Sequence, residues 1–394
     1  MPLDWQRARR ETPGCDRVLH FNNAGAALMP APVLDATIAH LQLEAEMGGY
    51  EAAALACERV ERVYTATAEL LGCEPGELAI VENATRAWDM AFYSLNFQAG
   101  DRILTAASEY ASNYIAFLQV AKRTGATIEV IPNDETGQLS VSALERAIGD
   151  RVKLIAITHV PSNGGLVNPA AAVGRVARAA GIPYLLDACQ SIGQMPVNVR
   201  EIGCDFLSAT GRKYLRGPRG TGFLYVRQAL IEQLEPPFLD MHAAEWVERD
   251  RYRIRPDARR FETWEANYAA KIGLGVAIGY TLSWGLEAIR DRIRQLADRL
   301  RLQLAAIPSV AVRDLGRIQS GIVAFNSDRL SASQIATALN ARDINVSISS
   351  LSSTRLDMES RQQIEFVRAS VHYYNTVEEV DRFCDSLQQV LAGG

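Results

Sequence analysis

Lysine is scarce in this chain. Of 394 residues only four are lysine (Lys122, Lys153, Lys213 and Lys271), and the other 37 of the 41 basic residues are arginine. Any chemistry that needs a primary amine therefore has four candidates. Metal-binding patterns are missing as well. The six cysteines form no CxxC pair and the five histidines no HExxH motif, so a zinc site is not expected. Cysteines without a framework read as reduced thiols of a cytoplasmic protein. No run of about 18 apolar residues occurs, so no membrane-crossing helix is expected. Residues 1–15 lack the apolar core of a signal peptide. The formal net charge of −5 and the scattered arginines leave no footprint for nucleic acid or for an anionic membrane surface. Nucleotide loops are absent too: the glycines of 217–222 lead into a strand, where a dinucleotide fingerprint would open a helix.

What is present is a regular alternation over a length that suits about two domains. Short Val, Ile and Leu-rich runs at 78–81, 102–105, 127–131, 154–158, 184–186, 206–208 and 222–226 read as strands. Helical patterns at 85–95, 113–124, 141–148 and 169–180 lie between them. This is the α/β class: a large domain over 15–285 with a mainly parallel seven-stranded sheet covered on both faces. Residues 286–394 read as a small C-terminal α+β domain, with 1–14 packing on it. Further helices are expected at 31–46 and 51–71, an irregular stretch at 236–263, and one long helix from 266 to 305. Ligands of parallel sheets bind beyond the carboxyl ends of the strands, so polar residues that directly follow a strand are the ones to weigh.

Four strand ends carry such residues. Ala84 and Thr85 open a helix after 78–81 and offer backbone N–H groups and a hydroxyl to a phosphate, although Thr85 would serve equally as a helix cap. Tyr110 lies in the polar run 108–113. Asp187, after 184–186, would sit as a carboxylate at the mouth of the sheet and need a cationic partner. Thr210, Arg212 and Lys213 follow 206–208 and precede the glycine-rich loop. Among the lysines, Lys122 reads as a helix-end residue, Lys153 enters a strand at the opposite end, and Lys271 lies in the long helix. Lys213 alone is on the carboxyl side of the sheet. Shielded by burial and cationic neighbours, such an amine has a lowered pKa and can form a Schiff base. An amine for an aldehyde, an acid for a pyridinium nitrogen and a hydroxyl/arginine set for a phosphate together point to pyridoxal phosphate.

With those residues in place, the chain resembles the class V aminotransferase family of fold-type I pyridoxal-phosphate enzymes. That group includes cysteine desulfurases, isopenicillin N epimerase-like proteins and hercynylcysteine sulfoxide lyase-like enzymes. The similarity runs from FNNAGAALMP at 21–30 to VRASVHYYNTVEEVDRF at 367–383, and is strongest over SATGRKYLRGPRGTGFLYV at 208–226. It implies that Lys213 is the Schiff-base lysine. Asp187 would keep the ring nitrogen protonated, Gln190 would meet the ring hydroxyl, Asn163 would contact the ring hydroxyl or the substrate, and Tyr110 would stack on the ring face. Ala84, Thr85, Thr210 and Arg212 would form the phosphate cup, with Asn267 reaching the phosphate of a neighbouring subunit. Arg368 would grip a substrate carboxylate, and Asn22 and Asn23 would belong to the segment that closes over substrate. Members are usually homodimers acting on small amino acids.

One departure narrows the chemistry. Cysteine desulfurases carry a persulfide-forming cysteine on the loop before the C-terminal arginine, whereas this chain reads SISSLSSTRLDM at 347–358. Serine cannot hold a persulfide. The expectation is a β-eliminating C–S lyase on a cysteine-derived substrate without persulfide chemistry; the alternative is an aminotransferase or amino-acid epimerase.

Overall fold

The seven apolar runs do form one sheet. In the computed structural model, which describes residues 3–393, they are β1 (Leu78–Val81), β2 (Arg102–Ala106), β3 (Thr127–Ile131), β4 (Val152–Thr158), β5 (Tyr184–Asp187), β6 (Phe206–Thr210) and β7 (Gly222–Val226). They lie in the order β1-β7-β6-β5-β4-β2-β3, and β7 alone runs against its neighbours. Side chains alternate across the sheet. Ile155, Leu186 and Leu207 point into one buried core, while Leu154, Leu185 and Phe206 point into the other. Burial on both faces explains why these strands carry apolar side chains without alternation. The parallel strands β4, β5 and β6 end at Thr158, Asp187 and Thr210, so their polar last residues share one edge of the sheet.

A second body follows the helix break at Gly285. Four antiparallel strands, β8 (Val310–Val312), β9 (Ile322–Ser327), β10 (Ser347–Ser350) and β11 (Glu365–Ser370), lie in the order β8-β9-β11-β10. Helices Leu286–Ala305, Ala332–Asn340 and Val377–Ala392 cover them. Ala8, Leu19, Phe21 and Ala24 share this core with residues as distant as Leu391. The short strand Leu19–His20 pairs in parallel with Ile344–Asn345.

Three sequence expectations need correction. The helix drawn from 266 to 305 is two helices, Tyr268–Trp284 and Leu286–Ala305, bent by 79°. Gly285 at the bend has φ 78°, which a side chain would oppose. The helix drawn over 51–71 breaks at Ala56 into Gly49–Leu55 and Cys57–Leu71. The stretch 236–263 contains a hairpin, Ala244–Glu248 with Arg251–Ile254. Among the described residues no single helix is long and apolar enough to cross a membrane.

Candidate active site

The carboxyl edge of the sheet opens into a cavity of roughly 500 Å³. Ala84, Thr85, Tyr110, Asp187, Gln190, Thr210, Arg212 and Lys213 all line it. Each wall has a local cause. At one end, helix Ala84–Phe92 starts where β1 stops, and its cap is Asn83, whose side chain accepts from Arg86 N at 2.9 Å. The first N–H groups of that helix therefore face the cavity without an intrahelical partner. Gly222 lets β7 run this close: a Cβ there would lie 2.7 Å from Asn83 C and 3.0 Å from Ala84 N.

At the opposite end sits Asp187, buried on the last residue of β5. One oxygen accepts from Cys189 N and the other from Asn113 Nδ2, both at 2.9 Å. Between the two ends is Lys213. Burial pushes its amine below the usual lysine range, the charges of Arg212 and Arg368 act in the same direction, and Asp187 opposes them. The loop that carries it is closed by backbone bonds from Arg216 N to Lys213 O and from Gly217 N to Gly211 O.

The side chains of the cavity leave polar atoms unused. Gln190 donates to Ala24 O at 3.1 Å while its Oε1 is buried without a partner. Arg212 donates to Gly25 O at 2.9 Å, which ties the N-terminal loop to the phosphate end. Arg368, on β11, donates to Ser162 O at 2.7 Å and approaches Asn22 Oδ1 at 3.5 Å. Its Nε is buried and unpartnered, and no carboxylate stands among the groups that act on it. Burial pushes this guanidinium down to about 10. A cation held in this way has donors free for a carboxylate.

Arg368 and Asn22 are not among the residues that line the cavity, and three more residues named from sequence are engaged elsewhere. Asn23 is fully buried; it donates to Ser370 O at 2.7 Å and accepts from the Tyr374 hydroxyl, so its amide braces the N-terminal segment and has nothing left for substrate. Asn163 donates to Asp357 Oδ2 at 2.7 Å, and Arg361 donates to the same oxygen at 3.1 Å. Its side chain thus joins the two bodies of the fold. Asn267 caps helix Tyr268–Trp284 by accepting from Ala270 N at 2.8 Å. It lines a neighbouring cleft that shares Glu82 and Gly220 with the cavity. Lys271 is not a surface residue: it is buried and donates to Tyr64 OH at 2.6 Å beside Glu262. The sequence reading missed Ser162 and Cys189, which line the cavity, and the buried pair Glu109 and Asn113 behind it. The last two lie within four residues of Tyr110, so the same polar run held the signal.

Comparison with known proteins matches the geometry. The family model for aminotransferase class-V fits residues 19–383. The chain belongs to the class V aminotransferase family. Among its relatives, a probable cysteine desulfurase of Pyrococcus abyssi is 30% identical over 97% of this chain and 96% of the relative. One of Xylella fastidiosa is 31% identical over 98% and 95%. The apo structure of a cysteine desulfurase from Thermococcus onnurineus superposes with a TM-score of 0.93 at 28% identity, covering 100% of this chain and 99% of that one. The cystine C-S lyase C-DES, solved with its reaction product cysteine persulfide, has the same fold at a TM-score of 0.86 and 23% identity, covering 96% of this chain and 99% of that one. The protein is a pyridoxal-phosphate-dependent enzyme of this family, with the fold-type I architecture. The cavity suits the cofactor: free helix N–H groups at one end, a buried acid at the other and a depressed amine between them.

Proposed function

We propose that the chain is a β-eliminating C–S lyase acting on a cysteine-derived amino acid, with the sulfur leaving directly and never carried on the protein. The observation that carries this reading is Arg368, a buried cation with no carboxylate of its own, beside a loop of serines. The guanidinium selects a substrate with a free carboxylate. The loop at 347–358, folded as β10 and the turn Leu351–Ser353, offers hydroxyls where a sulfur acceptor would need a thiol.

When bound, pyridoxal phosphate supplies the aldehyde that captures the substrate amine and the ring that takes up the electron pair freed at the α-carbon. The chain does the rest. Thr85, Arg212 and the N–H groups of helix Ala84–Phe92 hold the phosphate. Asp187 holds a proton on the ring nitrogen through its opposite charge. Tyr110 covers the ring face. Lys213 Nζ, less basic than an exposed lysine, takes the α-proton. The electron pair left at the α-carbon would form a Cα=Cβ bond as the Cβ–S bond breaks with its own pair on sulfur. The enamine so released would tautomerise to an imine, which water hydrolyses to pyruvate and ammonia.

The named relatives make cysteine desulfuration the competing outcome. One experiment separates the two: incubate the loaded enzyme with cysteine, cystine, S-substituted cysteines and their sulfoxides. Pyruvate and ammonia in equal amounts support elimination. Alanine with cyanide-labile sulfur on the protein overturns it in favour of desulfuration, and accumulation of the pyridoxamine form overturns it in favour of transamination.

We further propose a homodimer. Leu34, Ile38 and Leu41 share one face of helix Ala31–Met47 and are exposed, as are Tyr50, Leu55 and Trp264. Leu41, Tyr50 and Trp264 line the cleft that adjoins the cofactor cavity. Light scattering of the loaded protein at twice the chain mass supports this pairing.

A further inference from the structure

Behind Asp187 lies a second buried carboxylate that the mechanism above does not use. Glu109 is 3% exposed and sits just beyond the end of β2. Its Oε1 accepts from Asn113 Nδ2 at 2.8 Å, from Tyr110 N at 2.9 Å and from the Thr158 hydroxyl. Its Oε2 accepts from Thr105 Oγ1 at 3.1 Å. The Asn113 amide donates to both acids, to Glu109 at 2.8 Å and to Asp187 Oδ2 at 2.9 Å. An amide has two N–H bonds, so each acid takes one. Asn113 is itself buried and fixed on helix Ala111–Thr124.

We propose that Glu109 is a positioning residue for Asp187: through Asn113 it fixes the carboxylate that faces the ring nitrogen of bound pyridoxal phosphate, and its own proton sets the charge felt there. The inference rests on the role given to Asp187 above, and not on which amino acid is the substrate.

The hydrogen bonds allow both charge states. With Glu109 ionised, all its contacts are donors to it. With a proton on Oε2, that oxygen donates to Thr105 Oγ1, whose hydroxyl turns round, while the three bonds to Oε1 persist. Asn113 thus stays in place while one unit of charge near the cofactor is switched. The groups that act most strongly on Glu109 are Thr158, Asn113, Asp187 and the Tyr110 backbone; none of these is a cation. On β5 the other titratable neighbour is Tyr184, fully buried and neutral. Burial first, and the Asp187 charge second, raise the carboxyl to about 7, against Thr158 and Asn113, which lower it. The switch therefore works close to neutral pH. Ionised Glu109 strengthens the hold of the site on a pyridinium proton, and neutral Glu109 weakens it.

The test is spectroscopic and needs no substrate. Reconstitute wild type, Glu109→Gln, Glu109→Asp and Asp187→Asn with pyridoxal phosphate, and titrate the visible cofactor band from pH 5.5 to 9. In wild type the band shifts near neutrality. Glu109→Gln, isosteric and uncharged, loses that transition. Glu109→Asp keeps a transition, displaced because the carboxylate is one methylene short of Asn113. A wild-type band flat across this range, or a Glu109→Gln curve superimposable on wild type, overturns the proposal. Where Glu109→Gln is not recovered folded, Glu109→Asp decides, and a superimposable curve again overturns it. Asp187→Asn separates the failures: an unchanged band there refutes the role of Asp187 itself.

Discussion

The backbone N–H of Arg216 donates to the Lys213 carbonyl at 2.9 Å, so the amine of the site and a fully buried guanidinium share one turn. Arg216 has φ 61°, in the left-handed region that side chains rarely enter. Its guanidinium donates to Leu28 O at 2.8 Å, to the Tyr373 hydroxyl at 2.9 Å and to the Thr12 hydroxyl, and it lies 4.5 Å from the Tyr374 ring centroid. It therefore clamps the N-terminal segment, the Lys213 loop and the C-terminal body together. Arg216→Ala is expected to cost about 3–5 kcal/mol, as for a broken buried network. Arg216→Lys, which keeps the charge without the fork, should cost less. Urea unfolding followed by cofactor retention checks both.

Lys213→Ala should abolish the visible band of the loaded protein while the phosphate cup still retains cofactor. Dialysis against buffer, with phosphorus analysis of what remains, measures the second effect. An unchanged spectrum would falsify the assignment of Lys213.

Arg368 should show opposite effects on stability and on binding. It is buried with an unused Nε and no counter-charge, so Arg368→Met removes a desolvation penalty and should stabilise the protein by about 1–3 kcal/mol. The same change should raise KM for an amino acid about 100-fold, equivalent to about 2.7 kcal/mol. Denaturation midpoints and steady-state kinetics on one preparation test the pair.

Gly222→Ala should weaken the cofactor without touching it. The added Cβ meets backbone at Asn83 and at Ala209 O, both 2.7 Å away, so the start of helix Ala84–Phe92 must shift. A loss of about tenfold in pyridoxal-phosphate affinity, or about 1.4 kcal/mol, is expected by fluorescence titration.

His159 predicts a pH effect. It is buried, with Nδ1 unpartnered, and burial pushes it down to about 4. The unfolded chain takes up a proton near pH 6.5 and the native state does not. Stability is thus at its plateau above pH 6.5 and falls as pH drops towards 4, by up to roughly 3 kcal/mol. Glu109, raised to about 7, has the other sign: its stability is full below the ordinary glutamate pKa and is lost as pH rises through 7. Between pH 7.5 and 5 the two groups oppose each other, so the His159→Gln urea midpoint should fall less than that of wild type, or rise, over this interval; an equal signed change would remove His159 as the cause.

The sheet was legible because its central strands are buried on both faces and so are rich in Val, Ile, Leu and Phe; only the edge strand Thr127–Ile131 is largely half-buried. The hairpin Ala244–Glu248 with Arg251–Ile254 was not, since its residues are largely exposed and no burial pattern marks them. The break at Gly285 was hidden inside an otherwise helical pattern. At the site, residues on strand ends were found because the fold dictates where those ends meet. Asn23 and Asn163 are bound within the chain, which sequence could not show because an amide looks the same whether it binds a ligand or the chain itself. Glu109 went unassigned because sequence shows a carboxylate but not its desolvation.

The parallel pairing of Leu19 with Ile344 bears on the order of assembly. Residues 19–24 have no core of their own; they wait for strands made more than 300 positions later in synthesis. Gln190 and Arg212 are held by the carbonyls of Ala24 and Gly25 in that same segment. Gln190 and Arg212 thus depend, through residues 19–25, on strands of the C-terminal body, and C-terminal truncation should yield colourless protein.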